Sequence, residues 1–195
     1  MVGPYPPTVT TVGRAYELAE ALLRENLPRR WEHTRGVATC ARRLAPLIGD
    51  LGEVLETAAV LHDIGYAQSL VDTGFHPLDG ARYLRAVNAA DDRVVRLVAN
   101  HSFALLEAEE RALRAELAGE FPLLDDPLLV DGLVYCDMTT TPDGERTAPE
   151  ERIGEILSRY GADSVIGRFI RRAAPEIHSS VARVRAAADA AGVML

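Results

Sequence analysis

An all-α fold is predicted by three features of this sequence. Apolar residues recur at helical spacing from about residue 11 to residue 191, Ala, Leu, Glu and Arg dominate the composition, and no convincing strand pattern interrupts them. The 195 residues are enough for one domain with a sizeable core. Hydrophobic content of 48% and charged content of 26% are ordinary for a soluble globular chain. The 21 basic and 29 acidic residues leave a net charge of −8. That balance argues against a broad surface for duplex nucleic acid or an anionic membrane, while a local basic pocket for a phosphate remains open. Cys40 and Cys136 are too few and too isolated for a disulfide framework; both fall in apolar helical patterns and are expected as buried free thiols. Without a signal peptide or a membrane-length apolar run, a cytoplasmic location is expected.

Residues 1–10, with Pro4, Pro6 and Pro7, are expected as a flexible arm, and 11–195 as a single helical domain. A first helix is predicted over about 11–24, with Ala15, Leu18, Ala19 and Leu22 inward. Pro28 breaks the chain before a second, about 30–44, whose inward face is His33, Val37, Cys40 or Ala41, and Leu44. Pro46 and Gly49 should end it. Asp50 is the expected N-cap of the third helix, with Glu53 in capping-box position. Its stripe of Leu55, Ala58, Ala59 and Leu61 runs into His62, Asp63, Ile64 and Gly65, where Gly65 can adopt positive φ and stop it. Helices follow over about 78–89 and from Asp91 or Asp92, the latter carrying Val94, Val95, Leu97, Val98 and His101. A surface helix is expected over 104–118, then an apolar helix over 128–138 with Leu129, Val130, Leu133, Val134 and Asp137 inward. Residues 139–144 are turn chemistry. Thr147 and Glu150 flank Pro149 as a capping box, and C-terminal helices over 149–159 and 163–191, broken near Pro175, close the domain.

Four helices therefore carry ionisable residues on or at the end of their apolar stripes: His33, His62 with Asp63, His101 and Asp137. A single inward histidine is usually a hydrogen-bonded core residue. Four such positions with two carboxylates among them call for more, because a buried unpaired carboxylate is strongly unfavourable. Arginine could neutralise Asp63 and Asp137, yet Arg35, Arg93 and Arg146 fall outside these stripes, so a metal is the more economical account. Of the five histidines, four lie between residues 33 and 101; His178, among Ser179, Ser180 and Arg183, is expected as an ordinary surface histidine.

His33, then His62-Asp63, then the distant Asp137 resembles the HD-domain superfamily of metal-dependent phosphohydrolases, over about residues 30–140. His76 followed by Gly80 and Ala81, and His101 after Asn100, resemble the two further histidines of its dinuclear branch. That branch includes cyclic-nucleotide phosphodiesterases, a dinucleoside tetraphosphate hydrolase family and diiron oxygenases. The tract from Tyr135 to Thr140 resembles the final-aspartate segment of small bacterial HD proteins. The resemblance implies a helical bundle of the HD type with two metal ions. Asp63 would be the catalytic residue that bridges them, with His33, His62 and Asp137 on the first ion and His76 and His101 on the second. Such donors suit Mn, Fe, Co, Ni or Zn, with Mg an option at the weaker site. A centre of this kind lowers the pKa of bound water from about 15.7 towards about 7. The implied activity is hydrolysis of a small phosphorylated molecule, a nucleotide or another phosphoester. Tyr66, Arg82 and Thr140 are the candidate substrate contacts. The chain departs from the family in one respect: Tyr66 stands where many members carry Lys or Arg after the His-Asp-Ile-Gly run. This favours the alternative of a diiron oxygenase cleaving a small organic substrate on the same scaffold. A non-catalytic nucleotide-sensing module is a second alternative, which loss of a ligand would favour, and none is lost.

Overall fold

The first helix, α1 (Val12–Leu23), begins where Thr11 Oγ1 accepts from the Arg14 amide at 3.4 Å, and it buries Ala15, Ala19 and Leu23. The computed structural model describes residues 11–195; the arm expected over 1–10 lies outside the described residues. The second helix, α2 (Pro28–Ile48), starts earlier and ends later than its prolines suggest. Pro28 sits in the first turn, where a missing N–H costs nothing. Pro46 lies in the last turn without ending the helix, and Gly49 at φ +69° stops it instead. Asp50 is not an N-cap: it falls in a 3₁₀ turn (Gly49–Leu51), and no side chain caps α3 (Gly52–Leu61). Its first residue packs closely on α2. A Cβ on Gly52 would lie 2.9 Å from that of Ala45.

Residues Leu55, Thr57, Ala58, Ala59, Val60 and Leu61 of α3 are all buried, as expected of a helix that is apolar nearly all round. Each buried leucine there contributes about 1.5–3 kcal/mol. Around α3 pack α1, α2, α5 (Asp92–Asn100) and α8 (Pro127–Met138), while α4 (His76–Ala86) packs on α5 and on the turn after α3. The predicted surface helix over 104–118 is two helices, α6 (Ala104–Glu110) and α7 (Arg114–Glu120), because Ala112 between them adopts φ +61°.

α9 (Pro149–Tyr160) starts one residue later than its predicted capping box. Glu151, not Glu150, accepts from the Ala148 amide at 3.4 Å and from the Thr147 hydroxyl at 2.7 Å. α10 (Val165–Ala191) runs through Pro175 without a break, since Ile170 and Ala173 before it and Ile177 and Val181 after it stay on one buried stripe. These two helices enclose a smaller apolar cluster with Val134 and Met138 of α8, and that cluster roofs the site described next. Among the described residues there is no strand, only an isolated bridge between Thr140 and Arg146. No helix among the described residues is long and apolar enough to cross a membrane. Cys136 is buried and Cys40 half-buried, both as free thiols.

Candidate metal centre

His62 is the C-cap of α3, and Asp63 follows at φ −104°, ψ 5°, outside the helical region. Successive helical residues diverge by about 100°, so leaving the helix here is what lets two adjacent side chains face one centre. Gly65 plays a different part from the one its position suggests. It is not among the positive-φ glycines; a Cβ there would lie 2.0 Å from the His76 carbonyl oxygen and 2.7 Å from the Gly80 amide nitrogen. Gly65 and Gly80 thus let α4 lie directly on the turn. That contact brings His76, the first residue of α4, to Asp63.

His33, His62 and Asp63 present ligand atoms within 4.8 Å of one another, and so do Asp63, His76 and His101. Asp63 belongs to both groups through different oxygens. Its Oδ2 lies 3.4 Å from His62 Nε2 and 4.0 Å from His33 Nε2, while Oδ1 lies 3.3 Å from His76 Nε2 and 3.9 Å from His101 Nε2. Asp137, at the end of α8, puts Oδ1 3.1 Å from His33 Nε2 and accepts from the Ser102 hydroxyl with Oδ2. Ser102 and Phe103 hold positive φ, 48° and 64°, which is strained for residues with side chains. The strain falls where α5 ends and the chain turns Ser102 to Asp137.

The hydrogen bonds around the rings test whether a cation fits. Nδ1 of His33 donates to the Thr141 carbonyl at 3.0 Å, that of His62 to Ala59 at 2.7 Å, and that of His101 to Val98 at 2.7 Å. In a neutral imidazole this tautomer leaves Nε2 as a bare lone pair. Among the described residues His62 Nε2 is buried without a hydrogen-bond partner, and His76 Nε2 faces His101 Nε2 at 3.1 Å. Lone pairs and carboxylate oxygens converge, and few donors meet them. A divalent metal ion is what such a donor set fits.

Charge is arranged to match. Burial opposes ionisation of Asp63, yet Arg30, His62 and His76 hold its carboxyl well below the usual carboxylate range. Asp137 is also held down against burial, by His33, His62 and Arg152. Burial pushes His76 down to about 3 despite Asp63, and burial together with His62 pushes His101 down. Both rings are therefore neutral near pH 7, the form that coordinates metal. At His62 burial acts downward, but Asp63 and Asp137 carry the net shift upward.

Arg30 is the main residue that sequence reasoning passes over. It donates from Nη1 to Asp63 Oδ2 at 2.7 Å, and its guanidinium lies 3.9 Å from the centre of the Tyr66 ring. Tyr66 in turn stacks on His76 at 3.9 Å. The cation missing from the position of Tyr66 is thus supplied from α2, resting on Tyr66 itself. Its signal was present: Arg30 precedes His33 by three residues, so both occupy one helix face. An arginine therefore does neutralise Asp63, although it leaves the histidine lone pairs unsatisfied.

A cavity of about 80 Å³ opens on Asp63, His76, His101 and Asp137. Arg30, Arg152 and Arg159 line it, as do Tyr66, Tyr160 and the apolar Met138, Ile156 and Phe169. Glu107 also faces it, its carboxyl pushed up by burial against the opposing charge of Arg111. Of the three candidate substrate contacts, only Tyr66 lines this cavity. Arg82 turns to α7, where it pairs with Glu116 and Glu120, and Thr140 donates to the Cys136 carbonyl at 2.7 Å and borders a separate cavity. His178 is partly exposed and lies 3.2 Å from Glu150.

Comparison with known proteins found no matching curated protein and no matching solved structure. The HD domain matches residues 30–163, a span that holds Arg30, Arg152 and all six converging histidines and aspartates. The chain belongs to the HD domain family, and with it to a superfamily of metal-dependent hydrolases.

Proposed function

We propose that the protein is a metal-dependent phosphohydrolase acting on a nucleotide or another small phosphoester. One observation carries this: a single buried carboxylate, Asp63, turns its two oxygens to two groups of histidine nitrogens at the end of an arginine-lined cavity. His33, His62, Asp63 and Asp137 would hold one divalent ion, and Asp63, His76 and His101 a second. Bound ions of this kind lower the pKa of a water ligand from about 15.7 towards about 7 and polarise phosphoryl oxygens. The chain places and charges the site. The Thr141, Ala59 and Val98 carbonyls hold three imidazoles with Nε2 inward. Arg30 keeps Asp63 ionised and adds positive charge where phosphoryl charge grows. Met138, Ile156 and Phe169 offer an apolar wall for the organic part of the substrate.

The diiron oxygenase alternative drew its support from Tyr66 in place of Lys or Arg. Arg30 seated on Tyr66 supplies a cation in its place, which supports the phosphate reading. The test is metal analysis of anaerobically purified protein, followed by a panel of nucleotides and other phosphoesters with that metal restored. Chelator-sensitive phosphate release is expected. An iron-loaded protein that consumes oxygen and releases phosphate from no member of the panel would refute the proposal.

A further inference from the structure

Helix α9 brings a second set of charges to the cavity. Arg152, Ile156 and Arg159 are four and three residues apart, so they share one helix face, and all three line the cavity. Arg152 is only 6% exposed, yet its guanidinium makes one hydrogen bond among the described residues, from Nη1 to Glu155, and Nε has no partner. A guanidinium offers five donors, and a buried donor without an acceptor is costly. Glu155 cannot make up the difference, because the same carboxylate also takes Arg159. Arg30 does not share it either, being committed to Asp63. The three arginines also line a smaller adjoining cavity with Arg29, His33 and Pro142, so positive charge continues past the metal ligands.

We propose that Arg152, with Arg159 beside it, is a clamp for an anionic phosphoryl oxygen of the substrate, built on α9 next to the metal cluster. This rests on the phosphohydrolase reading and adds to it two substrate-binding residues that are not metal ligands. The planar fork of Arg152 suits two oxygens of one phosphate, which a lysine's point charge does not. Ile156 between the two cations leaves the adjacent wall apolar.

Calorimetric titration of the metal-loaded protein with inorganic phosphate, and separately with succinate, tests the clamp. Wild type, Arg152→Gln, Arg152→Lys and Arg159→Gln are compared, with metal content and circular dichroism recorded for each. Arg152→Gln should weaken phosphate binding about 10- to 100-fold. Arg159→Gln, at a partly exposed position, should weaken it by a smaller factor, about 3- to 10-fold, and Arg152→Lys should fall between wild type and Arg152→Gln. Metal content should stay unchanged in all of them. Equal phosphate affinity in wild type and both glutamine variants overturns the clamp, as does loss of metal in Arg152→Gln. If Arg152→Gln fails to fold, Arg159→Gln decides alone. Wild type that binds succinate in preference to phosphate, with both glutamine variants losing it, keeps an anion clamp and removes the phosphohydrolase reading.

Discussion

Two buried carboxylates on one helix, Asp131 and Asp137 of α8, have opposite surroundings. Their exposure is nearly equal, 6% and 7%, so burial alone does not distinguish them. Asp131 faces α10 and meets donors on both oxygens. Arg183 donates from Nε at 2.6 Å and from Nη2 at 2.7 Å, and the Ser180 hydroxyl donates at 2.7 Å. Asp137 has one donor, Ser102, and otherwise meets His33 Nε2, whose ring already donates from Nδ1. The protein completes the first carboxylate with hydrogen-bond donors and turns the second, like the Oδ1 of Asp63, to imidazole nitrogens. What faces a buried carboxylate separates a structural group from a candidate ligand.

The largest expected effect is on the ligand side. Removing metal with a chelator should lower the unfolding midpoint of the wild type by roughly 5–10 °C, corresponding to about 2.7 kcal/mol for an ion held at a hundred times its dissociation constant. Asp63→Ala removes the oxygen pair common to both groups and should bind neither ion tightly, so chelator should not shift its midpoint. A wild type indifferent to chelator would break the comparison, because Asp137 and Asp63 would then be as self-sufficient as Asp131.

Asp131→Asn should have the smaller effect, a loss of about 1–3 kcal/mol. The lower part of that range is expected because Arg183 is half exposed. Metal content should not change. Burial raises the Asp131 pKa, but Arg183 and Ser180 pull it below the ordinary value. A depressed folded-state pKa gives stability that is present above the unfolded value of about 3.9 and lost as pH falls through the folded one. In urea unfolding the gap between wild type and Asp131→Asn should hold steady from roughly pH 8 to pH 5 and narrow below about pH 4. A gap that persists at the lowest pH would assign the stabilisation to packing and not to the ion pair.

Much of this was legible in the sequence because the relevant signals are local. Helical stripes with period 3.6 give α1, α3, α5 and α8, and histidines are scarce enough that those on apolar stripes stand out. Tertiary packing decides the remainder. Pro46 and Pro175 look like helix breaks, yet buried Leu44 with half-buried Leu47 and Ile48 carries α2 through the first, and buried residues on either side carry α10 through the second. Gly65 looks like a turn residue but is needed for contact with His76 and Gly80, a relation across 11 and 15 positions that nothing local announces. Arg82 turns away because α7 places Glu116 and Glu120 beside it. Ser102 reaches Asp137 only through a left-handed backbone that its residue type does not foretell. Arg30 is the exception, since its three-residue offset from His33 was available to read.

The central claim is that Asp63 is shared between two metal half-sites, and metal stoichiometry tests it most directly. Protein reconstituted anaerobically with saturating Mn or Fe and freed of excess metal should hold two ions per chain in the wild type and one in both His76→Ala and His101→Ala. One ion per chain in all three proteins would contradict the account, leaving Asp63 as a ligand of a single site and the two histidines outside it.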